Sequence, residues 1–218
     1  MKRLFAAIIV LFIVGCANTQ ITPEAKSAFQ ELKSEKIVVR YTLTTKKIQY
    51  SETLYRGFWA KTNTATRDIS GVWQPDRDLS EYLASSITKH GYKAVSVYDI
   101  IPEELVGNIE QSNKKGVTPL QDSLNKMGYK YLFELQAMNL NGAAEIGGLI
   151  WIGASPKARL IDLDNSRVVW TDQFQHYERY QFGGNLRALE VDGMRKAKEG
   201  IRFGIDKIDF ATIWSVNN

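Results

Sequence analysis

The sequence predicts an α/β domain: a single mixed β-sheet with parallel first strands and a C-terminal antiparallel meander, packed with helices and closed by a long C-terminal helix. Three observations predict it. Helix and strand signals alternate from Pro23 to Leu140. Three strand-like runs then follow one another between Tyr129 and Phe174, with turn residues between the last two. Finally, Met194, Ala197, Ile201, Ile205 and Ile208 recur at steps of three or four, the stripe of a helix that covers a sheet.

Each element has a local reason. Thr22-Pro23-Glu24 is a helix start, with Thr as N-cap and Pro at the first helical position, and Phe29 and Leu32 give it one apolar face. Ile37 to Thr44 is rich in β-branched and aromatic residues, as a strand requires. Residues 45–78 fit a hairpin or a long irregular loop equally well, and are expected to be the variable, partner-facing segment. Asp78 and Glu81 have capping-box spacing ahead of Leu79, Leu83 and Ile87, and Gly91 ends that helix. Tyr92 to Tyr98 reads as a strand. Thr118-Pro119-Leu120-Gln121 repeats the start signal, with Leu120, Leu124 and Met127 on one face and Gly128 as the stop. Tyr129 to Leu140 is the first strand of the meander. Leu149 to about Leu163 is the second, bent at Pro156, and Asp164 to Arg167 turns the chain into the third. On that third strand Val168, Trp170 and Phe174 share a face. Asn185 caps the final helix.

The N-terminus carries a different kind of signal. Met1-Lys2-Arg3 is basic, Leu4 to Val14 is an unbroken apolar run, and Gly15-Cys16 closes it. These are the three zones of a secretory signal peptide, and the run is shorter than the roughly 20 residues a bilayer crossing needs. Ile13-Val14-Gly15-Cys16 resembles the lipobox of bacterial lipoproteins, with cleavage between Gly15 and Cys16 and acylation of Cys16. Cys16 is the only cysteine in the chain, so no intramolecular disulfide competes for it. The expected organisation is therefore a signal peptide over 1–15, a lipid-anchored tether and short helix over 16–35, and a periplasmic α/β domain over 36–218. Ala17 after the cysteine, rather than Asp, points to the outer membrane by resemblance to enteric sorting rules. The net charge of +4 includes Lys2 and Arg3 of the leader, so the remainder carries about +2, too little to argue for nucleic acid.

The helix-Gly-strand unit LQDSLNKMGYKYLFELQAMNL and the hairpin PKARLIDLDNSRVVWTDQF resemble a periplasmic α/β superfamily. Its members include the curli-secretion-channel lipoproteins, the amino-terminal domain of the Tol-Pal β-propeller protein and the lipoprotein activators of penicillin-binding proteins. The matching positions are Leu160-Ile161-Asp162, the turn Asp164 to Arg167, and Val168-Val169-Trp170; Ser166 stands where the superfamily usually has Gly. The resemblance implies a non-enzymatic outer-membrane lipoprotein, an adaptor or assembly factor that binds another envelope protein. Self-association into a homo-oligomer is compatible with it. One branch builds a secretion pore from paired hairpins, but Lys46, Lys47, Glu52, Arg56 and Lys61 break the alternation a membrane strand wants.

No catalytic constellation is legible. His90 and His176 have no second cysteine or adjacent histidine to complete a zinc site, and no serine sits in a G-x-S-x-G setting. No Gly-rich phosphate loop follows the first strand. The expectation is no catalytic residue, no metal and no cofactor. Asp206 and Asp209 are expected on a wet helix face. Tyr50, Tyr55, Phe58 and Trp59 are the candidate partner or ligand surface, able to anchor a protein or stack on a sugar ring.

Overall fold

In the computed structural model, four chain paths each run through two five-stranded sheets. The structure describes residues 21–56, 59–102, 106, 119–144, 149–174, 176–181 and 186–215. The strands are β1 (Lys36–Leu43), β2 (Lys47–Arg56), β3 (Trp59–Asp68), β4 (Lys93–Ser96), β5 (Tyr131–Ala137), β6 (Leu140–Ala144), β7 (Leu149–Ala154), β8 (Lys157–Asp162), β9 (Arg167–Gln173) and β10 (His176–Gln181). The helices are α1 (Pro23–Glu31), α2 (Pro75–Lys89), α3 (Pro119–Lys126), α4 (Leu186–Asp206) and α5 (Phe210–Ile213). The first sheet has the order β4-β1-β5-β8-β9 and the second β10-β7-β6-β2-β3.

The α/β class is as the sequence predicts, and the single expected sheet is divided in two. The division is regular. β1 continues into β2, β5 into β6, β7 into β8 and β9 into β10, and the four paths keep the same neighbours in both sheets. β1 pairs parallel with β5, and β2 parallel with β6. The remaining pairs among the four paths are antiparallel, which is the expected meander. Each long strand read from the sequence breaks where its composition breaks: at Met138-Asn139 and at Ser155-Pro156. Proline has no N–H for a ladder, so Pro156 marks an interruption. Residues 45–78 form the hairpin of β2 and β3, then a short link to α2.

The main core lies between one face of the first sheet and the helices. Ile37, Val39, Tyr41 and Leu43 of β1, and Tyr131, Phe133, Leu135 and Ala137 of β5, are buried there. α1 adds Ala25, Ala28 and Phe29, α2 adds Leu79, Leu83 and Ile87, and α4 adds Ala197, Ile201 and Ile205. Helix α1 is thus part of the same core as the sheet. Its start is as read: Thr22 Oγ1 accepts from Ala25 N at 3.2 Å, and Pro23 opens the helix. A smaller core on the opposite face joins Val38, Leu132 and Ile161 to Leu120 and Leu124 of α3.

Three local expectations are corrected. Helix α2 starts at Pro75 with Gln74 as its N-cap, not at Asp78. The Asp78 carboxylate instead accepts from Trp73 Nε1 at 3.2 Å and from Arg202 of α4 at 2.5 Å, while Glu81 pairs with Arg77. Met127 falls in the turn after α3 and is exposed rather than part of its stripe. On β9 a register shift opposite Leu160 and Ile161 breaks the alternation. Val169, Trp170 and Phe174 therefore pack on the main core while Val168 is exposed. Asp206 and Asp209 are both exposed, as expected: Asp209 accepts from Thr212 N at 3.0 Å as the N-cap of α5, and Asp206, the last residue of α4, accepts from Tyr82 of α2 at 2.6 Å. Burial and this acceptor push the Tyr82 hydroxyl up to about 12. The cap of α4 at Asn185 lies outside the described residues.

Three turns follow their glycine rules, one without the glycine. Gly91 and Gly128 take φ of +89° and +83° at the ends of α2 and α3. Ser166, in the β8–β9 turn, takes φ +49°. An L-residue in that region is strained by roughly 1 kcal/mol, and glycine is not. Ser166→Gly is expected to stabilise the fold by about 0.5–1 kcal/mol, less than the full strain because glycine also loosens the unfolded chain. The urea midpoint should rise; an unchanged or lower midpoint would contradict a left-handed Ser166.

Candidate functional site

On the outer face of the first sheet, the side chains change from apolar to charged halfway along the strands. The register sets Val38 beside Leu132 and Leu132 beside Ile161, a row covered by α3. Two residues on, the same register sets Arg40 beside Glu134 and Glu134 beside Arg159. Alternation with a period of two puts both rows on one face of the sheet. Helix α3 is eight residues long and packs on the apolar row, with the charged row two residues further along the strands.

The row is tightly joined. Arg40 Nη1 donates to Glu134 Oε1 at 3.2 Å, and Arg159 Nη2 donates to Glu134 Oε2 at 2.5 Å. Arg40 is 7% exposed and Glu134 6%, whereas the Arg159 side chain keeps 33%. One carboxylate therefore serves two guanidiniums. A buried ion pair stands only where geometry and further hydrogen bonds offset the loss of water, and here each carboxylate oxygen has its own charged donor.

The rim comes from a second set of contacts. β4 pairs only with Lys36 to Val39, so the next part of β1 has an edge without a strand neighbour on that side. Helix α2 closes it: Tyr41 N donates to Ser80 Oγ at 2.8 Å, and Leu43 N to Asp76 Oδ1 at 2.9 Å. The other Asp76 oxygen takes the Lys46 ammonium. Burial pushes the Tyr41 phenol far above its usual range, and the nearby Asp76 charge adds to this. Asp76, Lys46, Arg40, Glu134 and Arg159 line a cavity of about 510 Å³, with Thr42, Gln136 and Ser166 beside them.

The residues singled out from sequence fare differently. Tyr50 is corrected: it is 1% exposed, in the main core, and offers no surface to a partner. Its ring lies over Gly142 of β6, where a Cβ would come within 3.1 Å of it. Tyr55 and Trp59 are placed as backbone at the tip of the β2–β3 hairpin, and Phe58 lies outside the described residues, as do Gly15 and Cys16. His90 caps α2 and meets Phe210 edge-on, with ring centroids 5.7 Å apart. Among the described residues, no three His, Cys, Asp or Glu side chains come together as a metal site, and no helix is long and apolar enough to cross a membrane.

Sequence reasoning missed the charged row. Arg40 and Glu134 each stand as a charge within an apolar run, in KIVVRYTL and YLFELQA, while Arg159 lies among other charges in KARLID. A lone charge inside such a run is the signal, and only the strand order reveals that the three are neighbours.

No family model matches the chain, and no curated protein matches it either. Solved structures do resemble it. Lipoprotein GNA1162 from Neisseria meningitidis is 14% identical with a TM-score of 0.41, covering 74% of this chain and 94% of its own. The PelC dodecamer from Paraburkholderia phytofirmans is 10% identical at 0.40, covering 80% and 86%. The LpoB C-terminal domain from Salmonella enterica is 9% identical at 0.30, covering 76% and 98%. At these values the likeness is one of general architecture, shared with bacterial lipoproteins. No activity, partner or assembly passes from those proteins to this chain.

Proposed function

We propose that this chain is an envelope lipoprotein, held at the periplasmic face of the outer membrane by acyl chains on Cys16, that works by binding another envelope protein rather than by catalysis. The N-terminus carries the proposal: a basic start, a short apolar run and Gly15-Cys16, with the only cysteine of the chain at the cleavage point. One acyl chain holds a protein marginally and two or more hold it stably, so a fully modified cysteine is a sufficient anchor. The folded body follows at once. Five residue steps separate Cys16 from Ile21, a reach of at most ~18 Å even fully extended. A partner of this protein is therefore met close to the bilayer. Membership of the periplasmic superfamily named above belongs to the same proposal.

The charged groups of the outer sheet face support a binding role. Glu134 and Asp76 are both engaged by cations, an arrangement suited to recognition of charge and not to proton transfer. Replacing Cys16 by alanine is expected to abolish acylation and the cleavage that depends on it, so that only precursor accumulates. Intact-mass measurement and membrane fractionation check this; unaltered mass and processing would sink the proposal. In-cell crosslinking followed by mass spectrometry tests the partner, and recovery of no envelope protein above background would reject the adaptor role.

A further inference from the structure

We infer, resting on the partner-binding reading above, that the cavity over the Arg40–Glu134–Arg159 row is a recognition site for carboxylate side chains on an acidic peptide segment of a partner. Its lining charges are unbalanced. Arg40, Arg159 and Lys46 face Glu134 and Asp76, three cations against two anions. Its hydrogen bonds are also incomplete. Arg159 Nε and Thr42 Oγ1 are enclosed with no hydrogen-bond partner among the described residues. A buried donor left without an acceptor is costly, and native proteins fill such positions with a ligand, an ion or water.

Arg159 is the group that can respond. Its side chain is one-third exposed, and it lines the cavity from β8. Rotating the guanidinium turns its Nε edge toward the cavity. Glu134 keeps its bond to Arg40 when this happens, so no buried charge is stranded. The Nε–Nη edge of a guanidinium matches the two oxygens of a carboxylate in a fork, a match a point-like cation cannot make.

The size and margin of the site fit a side chain presented on a peptide. About 510 Å³ is room for several residues' worth of atoms, well beyond one bare carboxylate. Val168 at the margin is apolar and 44% exposed, and suits the methylene stem of a glutamate. Gln136 and Ser166 supply polar groups for a peptide backbone.

Isothermal titration of the full-length lipoprotein in detergent micelles tests this, with an acetylated, amidated peptide of alternating glycine and glutamate as the probe. The peptide is expected to bind, and sodium succinate at equal ionic strength to bind about tenfold more weakly. Arg159→Gln should weaken peptide binding by at least about tenfold. Lys157→Gln, which removes the same formal charge from an exposed position outside the cavity, should change it less than about twofold. Should Arg159→Gln fail to fold, Arg159→Lys keeps the charge and loses the fork, and should still weaken binding several-fold. No peptide binding, binding untouched by substitution at Arg159, or equal loss from Lys157→Gln would overturn the site. Succinate as tight as the peptide would make it a site for free small acids and overturn the peptide partner. Because the anchor is tested by mass and processing, failure here rejects the site and leaves the lipoprotein reading standing.

Discussion

Glu134→Ala is expected to destabilise the protein by about 3–5 kcal/mol, the range seen when one partner of a buried ion pair is removed. The carboxylate is 6% exposed and holds two guanidiniums. Their fates differ once it is gone. Arg159, one-third exposed, can turn to solvent at little cost. Arg40 is 7% exposed and cannot, so most of the penalty is the bond its buried guanidinium loses. That asymmetry makes the prediction specific. Arg159→Ala should cost no more than about 1 kcal/mol, within the range of exposed pairs. Replacing both members of the buried pair, Arg40→Met with Glu134→Leu, should recover most of the loss, because apolar groups of similar volume need no partners. Urea unfolding of the three variants checks the pattern. For a body near 200 residues the largest loss is a fall of roughly 10 °C or more in Tm. A cost below about 1 kcal/mol for Glu134→Ala would mean that water reaches Arg40, against its burial.

What could be read in the sequence, and what could not, divides along one physical line. Features with a local cause were legible. Pro23 and Thr22 start α1, Gly91 and Gly128 end α2 and α3, and the spacing of Ala197, Ile201 and Ile205 buries one face of α4. Features set by distant residues were not. Asp78 has the spacing of a cap, but Arg202 and Lys198 of a helix 120 or more residues later claim its carboxylate. Tyr50 sits among polar residues and reads as surface, yet Gly142, on a strand far along the chain, leaves the space that buries it. The charged row is the strongest case. Its three members are 94 and 25 residues apart, and no local pattern joins them. Only the β1-β5-β8 order turns the three into one site. The expected single sheet failed for the same reason. Breaks at Asn139 and Pro156 are visible, but that they align across four paths is a property of pairing.

Trp214→Ala is the second large effect, expected to cost about 3–5 kcal/mol although it lies four residues from the end of the chain. Terminal residues usually tolerate change because few of them are packed. Trp214 is an exception, with 0% of its surface exposed. Its ring meets Tyr92 at 4.9 Å, Phe210 at 5.0 Å and Phe133 at 5.2 Å between centroids, the Tyr92 and Phe133 contacts being edge-on. Tyr92 precedes β4 and Phe133 is in the centre of β5, so the indole bolts the C-terminal turn to two strands of the first sheet. Alanine there empties the space of a nine-atom ring system in the middle of an aromatic cluster. The size of that loss can be separated from the polar part of the side chain. The indole Nε1 is enclosed without an acceptor among the described residues, so its N–H carries an uncompensated cost of about 1–3 kcal/mol. Trp214→Phe removes that cost while leaving a smaller void. The two nearly offset, and the net change should be under about 1.5 kcal/mol. Urea unfolding followed by far-UV circular dichroism tests both. If alanine and phenylalanine cost the same, packing is not what holds the C-terminus to the sheet.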